Sequence, residues 1–140
     1  MTSIAEILQQ SKSVAIVGYS AKPDRASHWI SNYLQEHGYQ VFRINPVMKS
    51  SVETPIYSSI ADLPQQVDII DVFRAPPHLP AIVEAAIAAK AKAVWMQPGT
   101  ENPDAADSAI AAGLSAIVGN CIYREHKALF GIEDDRGHAH

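Results

Sequence analysis

One stretch of this sequence combines residue types that bind anions. Gly18 ends a short apolar run, and the cations Lys22 and Arg25 follow it before a stretch with the apolar spacing of a helix. A glycine turn that leads into a helix N-terminus leaves backbone N–H groups and a partial positive charge facing outward. These residues predict a phosphate site of the kind found in nucleotide-binding α/β proteins. The alternative for both cations is an ordinary solvated loop.

The single cysteine of the chain, Cys121, lies where a last helix is predicted to begin. A thiol at a helix N-terminus gains thiolate character. His126 follows one turn later, but the two positions are about 140° apart around a helix. Contact between a nucleophile and its base is therefore not expected. We expect Cys121 to contact a ligand or to pack in the interior, with covalent chemistry as the alternative.

Two other polar residues are interpreted as structural. Asp71 lies on the same strand face as Ile69 and Phe73, which favours a carboxylate paired in the core or capping a loop. His28, next to Trp29, is expected to support the start of a helix. No spacing typical of metal ligands is visible. The sequence therefore predicts neither a catalytic residue nor a metal site.

Five apolar stretches have the length and composition of buried strands. They are residues 14–17, 39–44, 67–73, 93–96 and 115–118. Stretches of helical periodicity alternate with them, which is typical of a parallel sheet covered on both faces. The segment 47–59, interrupted by proline, is expected to be a loop with a short extended piece at most.

This alternation predicts an α/β fold, a Rossmann-like three-layer sandwich. We expect a five-stranded parallel sheet in the order 3-2-1-4-5, with the switch point between the first and fourth strands. Ligands of such sheets bind outside the carboxyl ends of the strands. The loops at this edge are residues 18–25, 45–49, 73–77, 97–100 and 119–121.

Composition limits the class of protein. The chain has 140 residues, 47% of them apolar and 19% charged, which predicts one domain over residues 1–131 and a flexible tail over 132–140. The net charge of −4 argues against a nucleic-acid partner. No membrane segment or export signal is visible. A cytoplasmic protein without a disulfide framework is expected.

The turn at Gly18 and the loop after it, called the glycine corner below, lack two features of dinucleotide-binding proteins, and this limits which nucleotide could bind. Of the G-x-G-x-x-G dinucleotide pattern, only Gly18 is present, and no acidic residue follows the second strand to hold a free ribose diol. The strand instead contains Arg43 and is followed by Lys49. A neutral or basic exit suits a phosphorylated ribose, which both NADP and coenzyme A (CoA) carry. The missing glycines disfavour NADP, because its pyrophosphate needs close approach of the backbone.

Several short motifs together resemble a known family. They are Val-Ala-Ile-Val-Gly-Tyr-Ser at 14–20, Ser27-His28, Asn45-Pro46, Asp71-Val-Phe-Arg74, Trp95-Met-Gln-Pro-Gly99, and Cys121 followed by Glu125-His126. In order and spacing they resemble the small single-domain CoA-binding proteins, which are similar in fold to the CoA-binding domain of the succinyl-CoA synthetase α subunit. The resemblance covers residues 11–129.

The resemblance implies a protein that binds CoA or an acyl-CoA at the carboxyl ends of the strands. The residues it assigns to the ligand are Gly18, Tyr19, Ser20, Lys22, Arg25, Asn45, Pro46, Lys49, Phe73, Arg74, Gln97 and Cys121. The first five would meet the phosphates. Asn45, Pro46 and Lys49 would line the region beyond the second strand, and the others would flank the pantetheine arm.

The same resemblance leaves the activity open in one respect. The synthetase activates acyl groups with a phosphorylated histidine and further domains, which this chain lacks, so we expect CoA binding without independent catalysis. Two alternatives remain: an NADP-linked oxidoreductase, and a regulatory protein whose CoA state controls docking to a partner. A CoA-binding protein of this kind could also form a homodimer or bind an unidentified protein partner.

Overall fold

The computed structural model describes residues 2–133. In chain order the helices and strands are α1 (Ile4–Gln10), β1 (Ser13–Val17), α2 (Ala26–Glu36), β2 (Gln40–Ile44), β3 (Ile56–Tyr57), β4 (Ile69–Val72), α3 (Leu79–Ala88), β5 (Ala93–Met96), α4 (Pro103–Ala111), β6 (Ser115–Val118) and α5 (Ile122–Phe130). Short 3-10 turns at Ile60–Asp62 and Pro76–His78 precede β4 and α3. The order of strands and helices confirms the α/β class.

Local signals account for where several helices begin. Ser3 Oγ accepts the N–H of Glu6 at 3.2 Å, while the Glu6 carboxylate accepts the N–H of Ser3 at 3.3 Å, a capping box at the start of α1. At α4, the side-chain oxygen of Asn102 accepts the N–H of Ala105 at 3.1 Å. Both caps satisfy N–H groups that a helix leaves without internal partners.

The sheet is parallel throughout, with the strand order β3-β2-β1-β4-β5-β6. The prediction of five strands is wrong by one. Ile56 and Tyr57 pair with Arg43 and Ile44 to form β3 at the edge. Two residues are too few for strand periodicity to be visible in a sequence, which is why the pattern over 47–59 predicts a loop with a short extended piece at most and no sixth strand.

The predicted position of the third stretch, residues 67–73, is also wrong. It forms β4 and pairs with β1, with Ile16 opposite Asp71, instead of lying outside β2. Among the five predicted strands the order is therefore 2-1-3-4-5, and the switch point lies between β1 and β4. Right-handed crossovers permit both arrangements, and the alternation of strands and helices does not distinguish them. Counting β3 restores the Rossmann-like order 3-2-1-4-5, extended by β6.

Two apolar cores cover the two faces of the sheet, as the three-layer prediction requires. On one face, α1, α2 and α5 pack against side chains such as Ile16, Ile69 and Trp95. On the other, α3 and α4 pack against Val17, Ile70 and their neighbours. All residues of β1 are buried, because this central strand has neighbours on both sides and a core on both faces.

Most of the predicted tail, residues 134–140, lies outside the described residues, so the boundary at residue 131 stays a prediction. Ile132 packs against the first core, and its N–H donates to the Lys127 carbonyl at 3.0 Å. None of the helices over residues 2–133 is long and apolar enough to cross a membrane.

Candidate functional site

The glycine corner lies at the switch point of the sheet. Gly18 has φ of +92°, which L side chains rarely adopt. The N–H groups of Gly18 and Tyr19 both donate to the Ile44 carbonyl at 3.1 Å. A Cβ at residue 18 would lie 2.9 Å from both Arg74 Cδ and the Phe73 carbonyl oxygen. Glycine is therefore required for the chain leaving β1 to pass against the chain leaving β4.

Side chains at the start of α2 hold the loop that follows. Ser27 Oγ accepts the N–H of Ser20 at 3.0 Å, and His28 Nδ1 donates to the Ser20 carbonyl at 3.0 Å. His28 Nδ1 also lies 3.2 Å from the Tyr19 hydroxyl, and the two rings stack. His28 thus supports the entry to the helix, the role expected for it from the sequence.

Lys22 and Arg25 stand beside this loop, and both are exposed. Arg25 is the residue before α2, and its side chain makes no capping hydrogen bond. No carboxylate occupies the first turn of α2, although Asp24 lies in the loop itself. Both cations line a cavity of about 310 Å³ together with Gly18 and Phe73. Cations and helix N-terminus together make this cavity favourable for an anion.

The loop after β2 forms the wall of a second cavity. Asn45 Nδ2 donates to the Tyr19 carbonyl at 2.8 Å, and Asn45 Oδ1 accepts the N–H of Val47 at 2.9 Å. Pro46 and Met48 line this cavity of about 520 Å³ with the residues after Gly18. Asn45 therefore ties the two loops together. Lys49 lies just beyond and lines none of the cavities described.

Arg43, the cation within β2, is engaged by the protein. Its Nη2 donates to Asn32 Oδ1 at 3.1 Å and to Gln35 Oε1 at 2.9 Å, both on α2. Its guanidinium carbon lies 5.4 Å from the centre of the Tyr19 ring, a cation–π contact. Arg43 therefore holds the Tyr19 ring and the side chains of α2, and it is not free for a ligand phosphate.

A cavity of about 700 Å³, the largest of those described, lies between the ends of β4 and β5 and the helices α2 and α5. Trp29, Ile30 and Phe73 line its apolar side. Gln97 and Cys121, both expected at the pantetheine end, also line it. Gln97 Oε1 accepts the N–H of Ile122 at 2.9 Å. This hydrogen bond fixes the Gln97 side chain to the first turn of α5 at the edge of the cavity.

Shared lining residues place the three cavities side by side. Gly18 belongs to the cavities of about 310 and 520 Å³, Phe73 to those of about 310 and 700 Å³, and Arg74 to those of about 520 and 700 Å³. Together they form a groove along the carboxyl edge of the sheet, called the edge groove below. It contains every residue assigned to the ligand from the sequence except Lys49.

Cys121 and His126 are separated. Cys121 is half-buried and precedes α5 as its N-cap. His126 is 4% exposed, and its Nδ1 shares a hydrogen bond of 2.7 Å with the Tyr33 hydroxyl. It lines a separate cavity of about 350 Å³ with Tyr39 and Phe130. Burial, together with the charge of His37, lowers the pKa of His126 to about 4. His126 is not placed to act as a base for Cys121.

Several residues of the edge groove were not identified from the sequence. Trp29 and Ile30 follow the apolar periodicity of α2, which is equally typical of a residue that only packs in the core. Thr100, Asn120 and Arg124 line the largest cavity from loops and from α5. The carboxyl-edge rule selects the loops that contain Thr100 and Asn120, but no pattern distinguishes these side chains. In the part of the chain that the structure describes, no cluster of three or more His, Cys, Asp or Glu could hold a metal ion.

The sequence and the fold are both similar to those of known proteins. The family model described as a CoA binding domain matches residues 12–127. The Bacillus subtilis protein YneT is 35% identical over 123 residues, which cover 88% of this chain and 91% of that protein. A hypothetical protein from Pyrococcus horikoshii OT3 has a solved structure with 39% identity and a TM-score of 0.87. The match covers 91% of this chain and 90% of that one.

A larger protein shares the fold alone. The dinucleotide forming acetyl-coenzyme A synthetase 1 of Ca. Korarchaeum cryptofilum has 20% identity and a TM-score of 0.67. The match covers 78% of this chain but 26% of the synthetase. A module of this fold therefore also occurs as one part of a larger chain.

Proposed function

Because this chain belongs to the CoA binding domain family, we propose that it binds CoA, free or as an acyl-CoA, in the edge groove and without catalysing a reaction by itself. The observation that carries the proposal is the groove itself. It joins a cationic cavity at a helix N-terminus to a cavity of about 700 Å³ with an apolar wall. CoA has the matching division into an anionic nucleotide and a long, weakly polar arm.

The nucleotide would lie over the glycine corner. Lys22, Arg25 and the N-terminus of α2 offer positive charge to the phosphates. Pro46 and Met48 offer apolar surface to the adenine. The pantetheine arm would then pass Phe73 and Arg74 toward Cys121. Arg25 and Lys49 are the candidates for the 3′-phosphate, and Lys49 would reach it only if the loop after β2 closes onto the ligand.

The positions of two histidines support binding without acid–base chemistry by either of them. His126 faces away from the groove and shares its Nδ1 with Tyr33. His28 is engaged with the Ser20 carbonyl. General acid–base catalysis needs such a group within hydrogen-bond reach of the reacting atoms. Neither histidine has that placement.

An NADP-linked oxidoreductase fits the corner less well. A dinucleotide pyrophosphate is held by free backbone N–H groups in a glycine-rich turn. Four N–H groups of this turn are already used: those of Gly18 and Tyr19 donate to the Ile44 carbonyl, that of Ser20 to Ser27 Oγ and that of Lys22 to Ser20 Oγ. Fewer donors are left for a pyrophosphate at the turn itself.

A CoA-responsive regulatory protein is the second candidate, favoured by one observation. Val47 and Val52 are 89% and 96% exposed on the loop after β2, and Val47 also lines the cavity of about 520 Å³. A ligand in that cavity would contact the same loop that presents these apolar side chains to another protein or a second copy. Light scattering with and without CoA tests this: a ligand-dependent mass supports a homodimer, and an unchanged mass argues against it.

A thermal-shift titration with CoA and with NADP tests the proposed function. A ligand that binds only the native state stabilises it by RT ln(1 + [L]/Kd), about 2.7 kcal/mol at a hundredfold excess over Kd. We expect CoA to raise the melting temperature clearly and NADP to raise it much less. A larger shift with NADP, or none with CoA, would overturn the proposal.

A further inference from the structure

Asp71 is a carboxylic acid enclosed within the sheet. Its side chain is 0% exposed, and neither carboxyl oxygen has a hydrogen-bond partner among residues 2–133. Buried polar groups in proteins are normally hydrogen-bonded, and an exception needs a cause. An unpaired buried carboxyl lowers stability. The structural role expected from the sequence, a paired or capping carboxylate, is therefore wrong for Asp71 within the described residues.

Asp68, the residue just before β4, provides a contrast. Its Oδ2 accepts the N–H of Lys12 at 2.7 Å and that of Ser13 at 3.3 Å, and its Oδ1 lies 3.4 Å from Lys92 Nζ. These contacts tie the beginnings of three neighbouring strands together. Asp68 shows how this protein satisfies a structural carboxylate, and Asp71 has no comparable contact.

Strand register places Asp71 below the largest cavity of the edge groove. Asp71 lies opposite Ile16 on β1 and Trp95 on β5, both in the core under α2 and α5. Side chains alternate along a strand, so Phe73 and Gln97 face the same side two residues further on. Both line the cavity. The Asp71 carboxyl is thus one row of side chains, about 7 Å along the strand, beneath the lining.

The state of the carboxyl determines what it can bind. Burial raises the pKa of Asp71 well above its usual range, which favours the protonated acid. Arg74, the nearest cation along the chain, is engaged elsewhere, with Nη2 at 3.1 Å from His78 Nε2. A protonated carboxyl has one O–H donor. Its complement is an acceptor without charge.

We propose that Asp71 is a ligand-contacting residue of the edge groove, whose O–H donates to a carbonyl oxygen at the sulfur end of the pantetheine arm or of its thioester. This inference rests on the proposed CoA function and deepens it. The arm ends in the cavity above Asp71, and its acceptors are neutral amide carbonyls, with a thioester carbonyl added in acyl-CoA. Asp71 is fully buried and lines none of the cavities described, so this contact requires Phe73 and Gln97 to move apart when the ligand binds.

Calorimetric titration with CoA and acetyl-CoA tests the inference on three proteins: the parent, D71N and D71A. The amide of D71N keeps a donor at nearly the same volume, whereas D71A removes it. We expect D71A to bind at least one ligand about tenfold more weakly, since the ligand acceptor loses its buried partner. D71N should remain closer to the parent than D71A. A third variant, D71V, replaces D71A if urea denaturation shows that D71A does not fold.

The two ligands distinguish the source of the acceptor. A loss confined to acetyl-CoA assigns the contact to the thioester carbonyl, and an equal loss for both assigns it to an amide carbonyl of the arm. Equal affinity of the parent and D71A for both ligands overturns this inference alone. If the parent binds neither ligand, the proposed function fails, and the inference fails with it.

Discussion

Acid should destabilise this protein through one buried histidine. The pKa of His126 falls from its ordinary value of 6.5 to about 4, because burial and the charge of His37 disfavour its protonated form. In the unfolded chain His126 takes up a proton as the pH falls below 6.5, whereas in the folded chain it stays neutral until the pH approaches 4. His126 therefore contributes full stability above pH 6.5, and this is lost as pH falls toward 4.

The size of the effect follows from the pKa difference. Each pH unit between the two values changes the free energy of unfolding by about 1.36 kcal/mol. From pH 7 to pH 5 the loss is about 2 kcal/mol, and by pH 4 it approaches about 3 kcal/mol. For a domain with a total stability of about 5–15 kcal/mol this is a large fraction.

Urea denaturation at pH 7 and pH 5 measures the loss in the parent and in His126→Asn. Asparagine places an acceptor near the Tyr33 hydroxyl but does not titrate, so its stability should change little between the two pH values. His78→Asn is the matched control, because His78 is exposed. It should retain the parent's dependence on pH. Equal loss in the parent and His126→Asn would refute the explanation.

Four other predictions concern the edge groove and the turn after α3. Gly18→Ala should cost about 1–3 kcal/mol of stability in urea denaturation, because of its positive φ and the 2.9 Å approach to the Phe73 carbonyl, and should weaken CoA binding as well; unchanged stability would contradict the described turn. Lys90→Gly should raise the free energy of unfolding by up to about 1 kcal/mol, since Lys90 has φ of +58° after α3; a loss would show that the Lys90 side chain matters more than its backbone. Lys22→Ala and Arg25→Ala should each weaken CoA by about tenfold to a hundredfold in calorimetry without lowering the melting temperature, while Lys12→Ala, a cation outside the edge groove, should bind like the parent. Of Arg25→Ala and Lys49→Ala, the variant that loses the cation touching the 3′-phosphate should weaken CoA more than dephospho-CoA, and equal effects on the two ligands in both variants would exclude that contact.

Much of the fold could be predicted because its signals are local. The apolar runs that became β1, β5 and β6 are short, continuous and bounded by turn residues. The glycine corner could be predicted as well, because a backbone turn between a strand and a helix has few solutions. What failed is non-local: nothing in the run 67–73 shows that it pairs with β1 instead of lying outside β2.

The candidate site divides in the same way. Loops at the carboxyl edge follow from the parallel sheet, and so the residues after Gly18 and around Phe73 could be predicted to lie at that edge. Trp29 was not identified as a groove residue, because an apolar residue on a helix face has the same pattern whether it packs against protein or lines a cavity. Asp71 was interpreted as paired in the core or capping a loop, because a sequence does not show which buried polar group lacks a partner.

A crystal structure of the protein with CoA tests the central claim most directly. We expect the phosphates beside Lys22 and Arg25, the arm passing Phe73 and Arg74, and the thiol in the cavity of about 700 Å³ near Cys121. CoA bound away from the carboxyl edge of the sheet, or with its phosphates in the cavity beside Cys121, would contradict it.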